Sequence, residues 1–204
     1  MAALALLSGA LAVPSAQAAP GAGGGTEQDG GAGARHCALD ASTGRQQCFG
    51  TFTEAVSAAS GGRIKDAPAS ARTAVRDSGL RAETRQLAAE QATSASGEAA
   101  GPEARQQADG KIIQGTFFDD PQFGGDSLTV YGESLCKGDD KVEFQHNVEE
   151  GWKNRISSVQ PWGDCWVWLY PEPDLGGDRD GPFKENTADI GTAMNDRTQS
   201  IGFS

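Results

Sequence analysis

The sequence predicts an all-β domain over residues 111–204, a sandwich of two tandem four-stranded units, preceded by a small, partly helical module. Three observations carry that expectation. Twelve of the fourteen Phe, Trp and Tyr residues lie in 111–204, and aromatics supply much of the buried area of a core. Stretches rich in Val, Ile, Thr and aromatics alternate there with turns such as Gly124-Gly125 and Gly176-Gly177. One phrase also occurs twice: Phe118-Asp-Asp-Pro-Gln-Phe123-Gly-Gly125 and Tyr170-Pro-Glu-Pro-Asp-Leu175-Gly-Gly177.

Taken in order, residues 1–18 read as an export signal, with an apolar run from Ala2 to Val13 and Ala16-Gln17-Ala18 before a cleavage point. The run is too short to span a membrane. No Lys or Arg precedes it, so the true start is expected upstream of Met1. The mature chain is expected to begin near Ala19, outside the cell. Residues 19–35 are Gly-rich and predict a disordered linker. Residues 36–92 predict a small disulfide-containing module. There Cys37 and Cys48 flank the turn Ser42-Thr43-Gly44, Thr53 is the expected N-cap of a helix, and Gly61-Gly62 ends that helix. From Ala67 to about Ala92 the composition favours helix. Past Ile64 only Val75, Leu80 and Leu87 are large and apolar, so this part either lies on the next domain or stays partly mobile. Residues 93–110 read as a second linker.

Strands are expected at 111–118, 127–131, 142–144, 156–160, 166–170, 181–184 and 200–203. The two phrases lie 52 residues apart, whereas the matching ends of the units, Ser158 and Ser200, lie 42 apart. The units are therefore 111–162 and 163–204, and the first carries ten extra residues around Cys136 to Glu150. A surface loop absorbs such length at little cost. The four cysteines suit an oxidising compartment and allow three pairings. Pairing within compositional regions favours Cys37–Cys48 and Cys136–Cys165, each contributing about 3–4 kcal/mol by chain entropy. Zinc is the weaker reading, since no C-x-x-C occurs and only His36 and His146 could assist.

Residues 111–204 resemble the βγ-crystallin family, whose unit is a four-stranded Greek key. The family motif, aromatic-x4-Phe/Leu-x-Gly, is matched by Phe118, Phe123 and Gly125 and again by Tyr170, Leu175 and Gly177. The resemblance implies that the aromatic packs over a folded hairpin, that the Gly takes a positive φ, and that Ser158 and Ser200 hydrogen-bond those hairpins. The pattern around Cys37 and Cys48 is loosely similar to an N-terminal module of some secreted bacterial proteins, and no function travels with it.

The resemblance also implies calcium binding through Asn/Asp-Asn/Asp-x-x-Ser/Thr-Ser, once per unit. Calcium takes six to eight oxygens from carboxylates, amides, carbonyls and water. The phrase Lys153-Asn154-Arg155-Ile156-Ser157-Ser158 departs from the signature at Lys153, and Asn195-Asp196-Arg197-Thr198-Gln199-Ser200 departs at Gln199. The candidate ligands are Asn154, Ser157, Asn195, Asp196 and Gln199, with the carbonyls of Arg155 and Arg197. With so few carboxylates the expected dissociation constant is about 10⁻⁴ to 10⁻³ M. The same residues would equally serve to close hairpins without any ion.

Residues 111–204 hold 8 Lys and Arg against 17 Asp and Glu, which argues against nucleic acid or an anionic membrane as partner. That excess is compatible with attracting cations or with solubility alone. Catalysis finds little support: there are two His, no G-x-S-x-G and no H-E-x-x-H. The pairs Asp119-Asp120, Asp139-Asp140 and Glu149-Glu150 read as solvated turns. Trp166 and Trp168 share a strand face, read as core in preference to a sugar platform. The chain is thus expected to be a monomeric, non-enzymatic secreted protein whose partner is calcium. The alternative is a protease inhibitor or toxin-like effector with an extracellular protease or cell-wall target. Some secreted bacterial inhibitors and killer toxins are similar in fold to crystallins, and the loop from Cys136 to Glu150 would then be the business end.

Overall fold

The computed structural model of the chain describes residues 33–95 and 111–204. The expected export signal, the first linker up to residue 32 and residues 96–110 of the second lie outside the described residues. The N-terminal part opens with a hairpin, β1 (His36–Asp40) and β2 (Gln46–Phe49), in which Cys37 and Cys48 are directly opposed and disulfide-bonded. The Asp40 carboxylate shapes its turn, accepting from the Ser42 N–H at 3.0 Å and the Ser42 hydroxyl at 2.5 Å. Helix α1 (Phe52–Ala59) starts at Thr51, not at the expected Thr53. Thr51-Phe-Thr-Glu54 is a capping box, with the Thr51 side chain accepting from the Glu54 N–H while Glu54 reaches back. Thr53 has no acid three residues on; its hydroxyl instead donates to the Ala67 carbonyl at 2.6 Å.

The helical stretch expected over 67–92 is divided into α2 (Ala71–Ala74) and α3 (Ser78–Ala95). Asp77 marks the break, because its carboxylate accepts from the Leu80 N–H at 2.8 Å in the manner of an N-cap. Helix α3 runs on through Thr93 and Ser94, which the sequence reading placed in the linker.

Seven strands follow: β3 (Ile112–Asp120), β4 (Gly124–Gly132), β5 (Phe144–Asn147), β6 (Ser158–Pro161), β7 (Val167–Tyr170), β8 (Asp180–Phe183) and β9 (Ser200–Phe203). They form two sheets, ordered β2-β1-β4-β3-β6 and β5-β9-β7-β8. The topology is an exchange. Strand β5 of the first unit leaves its own sheet to pair with β9 of the second, while Thr187 of the second unit bridges Val159 in the first sheet. Two Greek keys that exchange their third segments in this way make the paired sandwich that the sequence predicts, and residues 112–204 have the βγ-crystallin fold.

Residues 36–92, expected as a module of their own, are built into this sandwich. Strand β1 pairs in parallel with β4 and lengthens the first sheet to five strands. All five of its residues are buried, because both its faces are covered. Cys37 and Leu39 join Phe117, Leu128, Val130, Val167, Leu169, Ile201 and Phe203 between the sheets. Ala38 instead joins Phe52, Val56, Leu80 and Leu87 against Ile113, Phe118, Tyr131 and Trp162 on the sheet's outer face. The molecule is therefore three layers, helices on sheet on sheet.

In β7 the inward residues are Val167 and Leu169, so the face holding Trp166 and Trp168 looks away from the core, contrary to expectation. Cations cover it instead: Arg179 stacks 3.7 Å from the Trp168 ring centroid and Lys184 stands 3.3 Å from that of Trp166. Trp168 is still buried, and its indole N–H donates to the Ser204 hydroxyl at 3.1 Å.

Candidate cation site at two clasped loops

The repeated phrases occupy equivalent places. Phe118 is opposite Ser158 and Tyr170 is opposite Ser200, in matching antiparallel registers. Each serine ties down its hairpin with the same two hydrogen bonds. The Ser158 hydroxyl donates to the Asp120 carbonyl at 2.8 Å and accepts from the Phe123 N–H at 3.1 Å; the Ser200 hydroxyl donates to the Glu172 carbonyl at 2.6 Å and accepts from the Leu175 N–H at 3.1 Å. Both hairpins need left-handed backbone, with φ of 58°, 60° and 70° at Gln122, Phe123 and Gly125, and 55°, 60° and 77° at Asp174, Leu175 and Gly177. A Cβ on Gly125 would lie 2.0 Å from an Asp119 carboxylate oxygen, and one on Gly177 would lie 2.7 Å from Pro171 Cγ. Phe118 packs edge-on against Phe123 with centroids 5.5 Å apart, folding the hairpin as the resemblance implies.

Two end loops, 149–158 and 191–200, then clasp each other. The Asp196 N–H donates to the Ile156 carbonyl at 3.2 Å, and the Asn154 N–H donates to the Thr198 carbonyl at 2.9 Å. Asn154 and Asp196 both sit in left-handed conformation, at φ 57° and 54°, which short amide and acid side chains tolerate. The clasp carries Asp196 across to Ser157 at one end and sets Asn154 beside the loop of Gln199 at the other. At the first end the Ser157 hydroxyl lies 2.8 Å from the Asp119 carbonyl oxygen and 3.5 Å from Asp196 Oδ1. The Asn195 amide donates to Asp196 Oδ2 at 2.8 Å and holds that carboxylate. The carbonyls that the clasp engages are those of Ile156 and Thr198, one residue beyond Arg155 and Arg197.

The arginines themselves fold back. Arg155 donates to the Gly151 carbonyl at 2.7 Å and Arg197 to the Ala193 carbonyl at 2.9 Å, the same bond in each loop. Arg155 alone also grips two carboxylates, Asp119 at 2.5 Å and Asp126 at 3.1 Å. Lys153 does not crowd the site; it pairs with Glu150.

Asp119 is the residue that sequence reasoning passed over. The Asp119-Asp120 pair is expected to be solvated, yet the Asp119 side chain is only 19% exposed, and one buried oxygen, Oδ1, has no hydrogen-bond partner among the described residues. Burial pushes its carboxyl up, against the pull of the Arg155 guanidinium. Its place next to Phe118, at the start of the hairpin phrase, is the signal that could have found it. Asp126 behaves differently. Burial would raise it, but the Arg35 N–H and Arg155 hold it below the ordinary carboxylate range.

Among the described residues no cluster of three or more His, Cys, Asp or Glu side chains could hold a metal. All four cysteines are in disulfides, Cys37–Cys48 and Cys136–Cys165, which leaves no thiolate for zinc. Any cation at the clasp would draw on mixed oxygens. The first end fits calcium by that measure, with a hydroxyl, a carbonyl, the Asp196 carboxylate and the spare Asp119 oxygen. The second end has Pro171 where the first has Asp119, and Asn154 where the first receives Asp196.

One other pair resembles catalytic machinery. His36 Nδ1 and Ser127 Oγ are 2.8 Å apart. Both are buried, at 7% and 0% exposure, with Phe52 packed edge-on to the imidazole, so a substrate carbonyl has no approach to the hydroxyl. No described helix is long and apolar enough to cross a membrane.

The chain is similar to solved βγ-crystallin domains. One from Clostridium beijerinckii is 16% identical over 44% of this chain and 95% of that one, with a TM-score of 0.35. One from Flavobacterium johnsoniae is 19% identical over 44% and 92%, with a TM-score of 0.35. The N-terminal domain of protein S is 19% identical over 45% and 94%, with a TM-score of 0.34. No protein-family model and no curated protein sequence matches. The fold assignment rests on the strand exchange and the paired serine bonds.

Proposed function

We propose that this βγ-crystallin-fold chain is a secreted, non-enzymatic protein that binds calcium weakly at the first end of its clasp and is stabilised by it. One observation carries the reading: the Ser157 hydroxyl lies 2.8 Å from the Asp119 carbonyl oxygen and 3.5 Å from Asp196 Oδ1, and the Asp119 carboxylate keeps one buried oxygen without a hydrogen-bond partner among the described residues. A bound divalent cation would take those oxygens as ligands and neutralise Asp119 and Asp196. The site is weak because Arg155 already compensates Asp119 and because half its oxygens are uncharged. Two disulfides suit an oxidising compartment and support secretion. The inaccessible His36–Ser127 pair supports the non-enzymatic reading.

Calorimetric titration of the full mature chain tests this. Saturable heat with calcium, lost in Asp196→Ala and kept in Asn154→Ala, is expected. No heat, and no change in melting temperature at millimolar calcium, would reject the proposal.

Protease inhibition is the second reading, and the loop before β5 favours it. Cys136 anchors that loop to Cys165, and Lys137 pairs with Glu143 across it, so it is held stiff at both ends. A rigid exposed loop is what an inhibitor offers a protease cleft. Undiminished activity of a panel of secreted proteases at excess protein would remove this reading.

A further inference from the structure

A second site lies on the opposite concern, anions, and it does not depend on the calcium reading. A pocket of about 70 Å³ opens where α3 crosses the turn between β6 and β7. Arg81, Thr84 and Arg85 line it from one face of the helix, as the spacing i, i+3, i+4 requires. Trp162 and Asp164 line it from the turn and Lys184 from the far side. Three cations thus meet one carboxylate in a chain whose net charge is −11.

Three cations line this one pocket without an ion-pair partner among the described residues; Arg45, Lys65, Arg76, Lys141, Arg179 and Arg197 also lack one but line no part of it. Arg35, Arg63, Lys111, Lys137, Lys153 and Arg155 each have a carboxylate within ion-pair distance. Among the described residues Arg81, Arg85 and Lys184 have none, although acidic side chains outnumber basic ones. Neutral groups hold two of them in place. Arg81 donates to the Asn186 amide oxygen at 3.0 Å and lies over the Trp162 ring, 5.3 Å from its centroid. Lys184 stands over Trp166. The Trp162 indole N–H points inward to the Thr116 hydroxyl, at 3.0 Å, so its ring serves the pocket as a wall and its polar edge is already spent. Positive heads around a concavity, two of them held by an amide and aromatic faces, with Asp164 as the one carboxylate in the lining, form a preorganised anion receptor.

We infer that this pocket binds a phosphate-type oxyanion. Three cations less the Asp164 carboxylate leave an excess of two positive charges, matching a dianion. The volume holds little more than two waters' share of liquid, about 30 Å³ each. Pockets for drug-sized ligands run to about 300–1,000 Å³. The occupant is therefore inorganic phosphate, or a terminal phosphomonoester whose remainder stays outside.

The test uses the full mature chain, free of calcium with a chelator present, at constant ionic strength set by chloride. Inorganic phosphate is titrated in one arm and glycerol phosphate in the other, with tryptophan fluorescence as readout, since Trp162 lines the site and Lys184 stands over Trp166. Saturable quenching at millimolar or lower phosphate is expected, weakened at least tenfold in Arg85→Gln and again in Lys184→Gln. Both side chains are exposed, so both variants should keep the wild-type melting temperature. Equal affinity for glycerol phosphate assigns the site to a carried phosphoryl group; loss of affinity there assigns it to the free ion. Absence of saturation in wild type, or identical titrations in wild type and both variants, overturns the inference.

Discussion

The two ends of the clasp share a backbone and differ in chemistry. Matching bonds recur at both: Ser158 and Ser200 on their hairpins, Asn154 and Asp196 across the loops, Arg155 and Arg197 onto the carbonyl four residues back. Yet only the first end combines Asp119, Ser157 and Asp196, and only its arginine is drawn into carboxylates. Main-chain geometry makes the fold twice, and four side chains decide that one copy is electrostatically active while the other is a closure. The largest test of that difference is the arginine pair. Arg155→Ala leaves Asp119 without a cation and Asp126 with Arg35 alone, and should cost about 1–2 kcal/mol in chemical denaturation, discounted because the side chain is one-third exposed. Arg197→Ala should cost no more than about 0.5 kcal/mol; equal losses would erase the distinction.

The serines probe what the ends have in common. Ser158→Ala and Ser200→Ala should each cost about 1–2 kcal/mol, since each strands a hairpin N–H and carbonyl, and the two values should agree closely in urea melts. Calcium sharpens the contrast again. At a dissociation constant near 10⁻³ M, ~10 mM calcium adds about 1.4 kcal/mol to wild type. Asp196→Ala should lose that gain in thermal melts, and Asn154→Ala should keep it.

The smallest effect is on pH. The folded state holds Asp126 below its ordinary value of 3.8, so its contribution is present above that value and fades as pH falls through the lowered one. Asp126→Asn should therefore lose less stability than wild type on acidification below about pH 4, by under about 1 kcal/mol. Asp119 runs the opposite way. Its raised carboxyl binds a proton more readily in the folded state, so acidification relieves a cost there.

What the sequence revealed follows from the same physics. Positive φ at Gly125 and Gly177, and a hydroxyl to satisfy two hairpin groups, leave few residue types acceptable, so those positions repeat visibly. The clasp was half legible. Asn154 and Asp196 stood out because left-handed backbone favours them, whereas Asp119 lies outside the signature and its cation partner, Arg155, is 36 residues away. Strand β1 was illegible because His-Cys-Ala-Leu-Asp shows no alternation when both faces are covered. Trp166 and Trp168 misled for a related reason. Alternation said that they share a side but not which side, and Arg179 and Lys184 make the outer one habitable.

The parallel pairing of β1 with β4 has a bearing on how the chain assembles. His36 meets Ser127 across 91 residues of sequence, so the first strand in chain order must wait for a neighbour delivered long afterwards. During that delay the Cys37–Cys48 crosslink can keep the waiting ribbon in shape, and once β4 arrives, docking shields an edge that would otherwise invite other chains to add on.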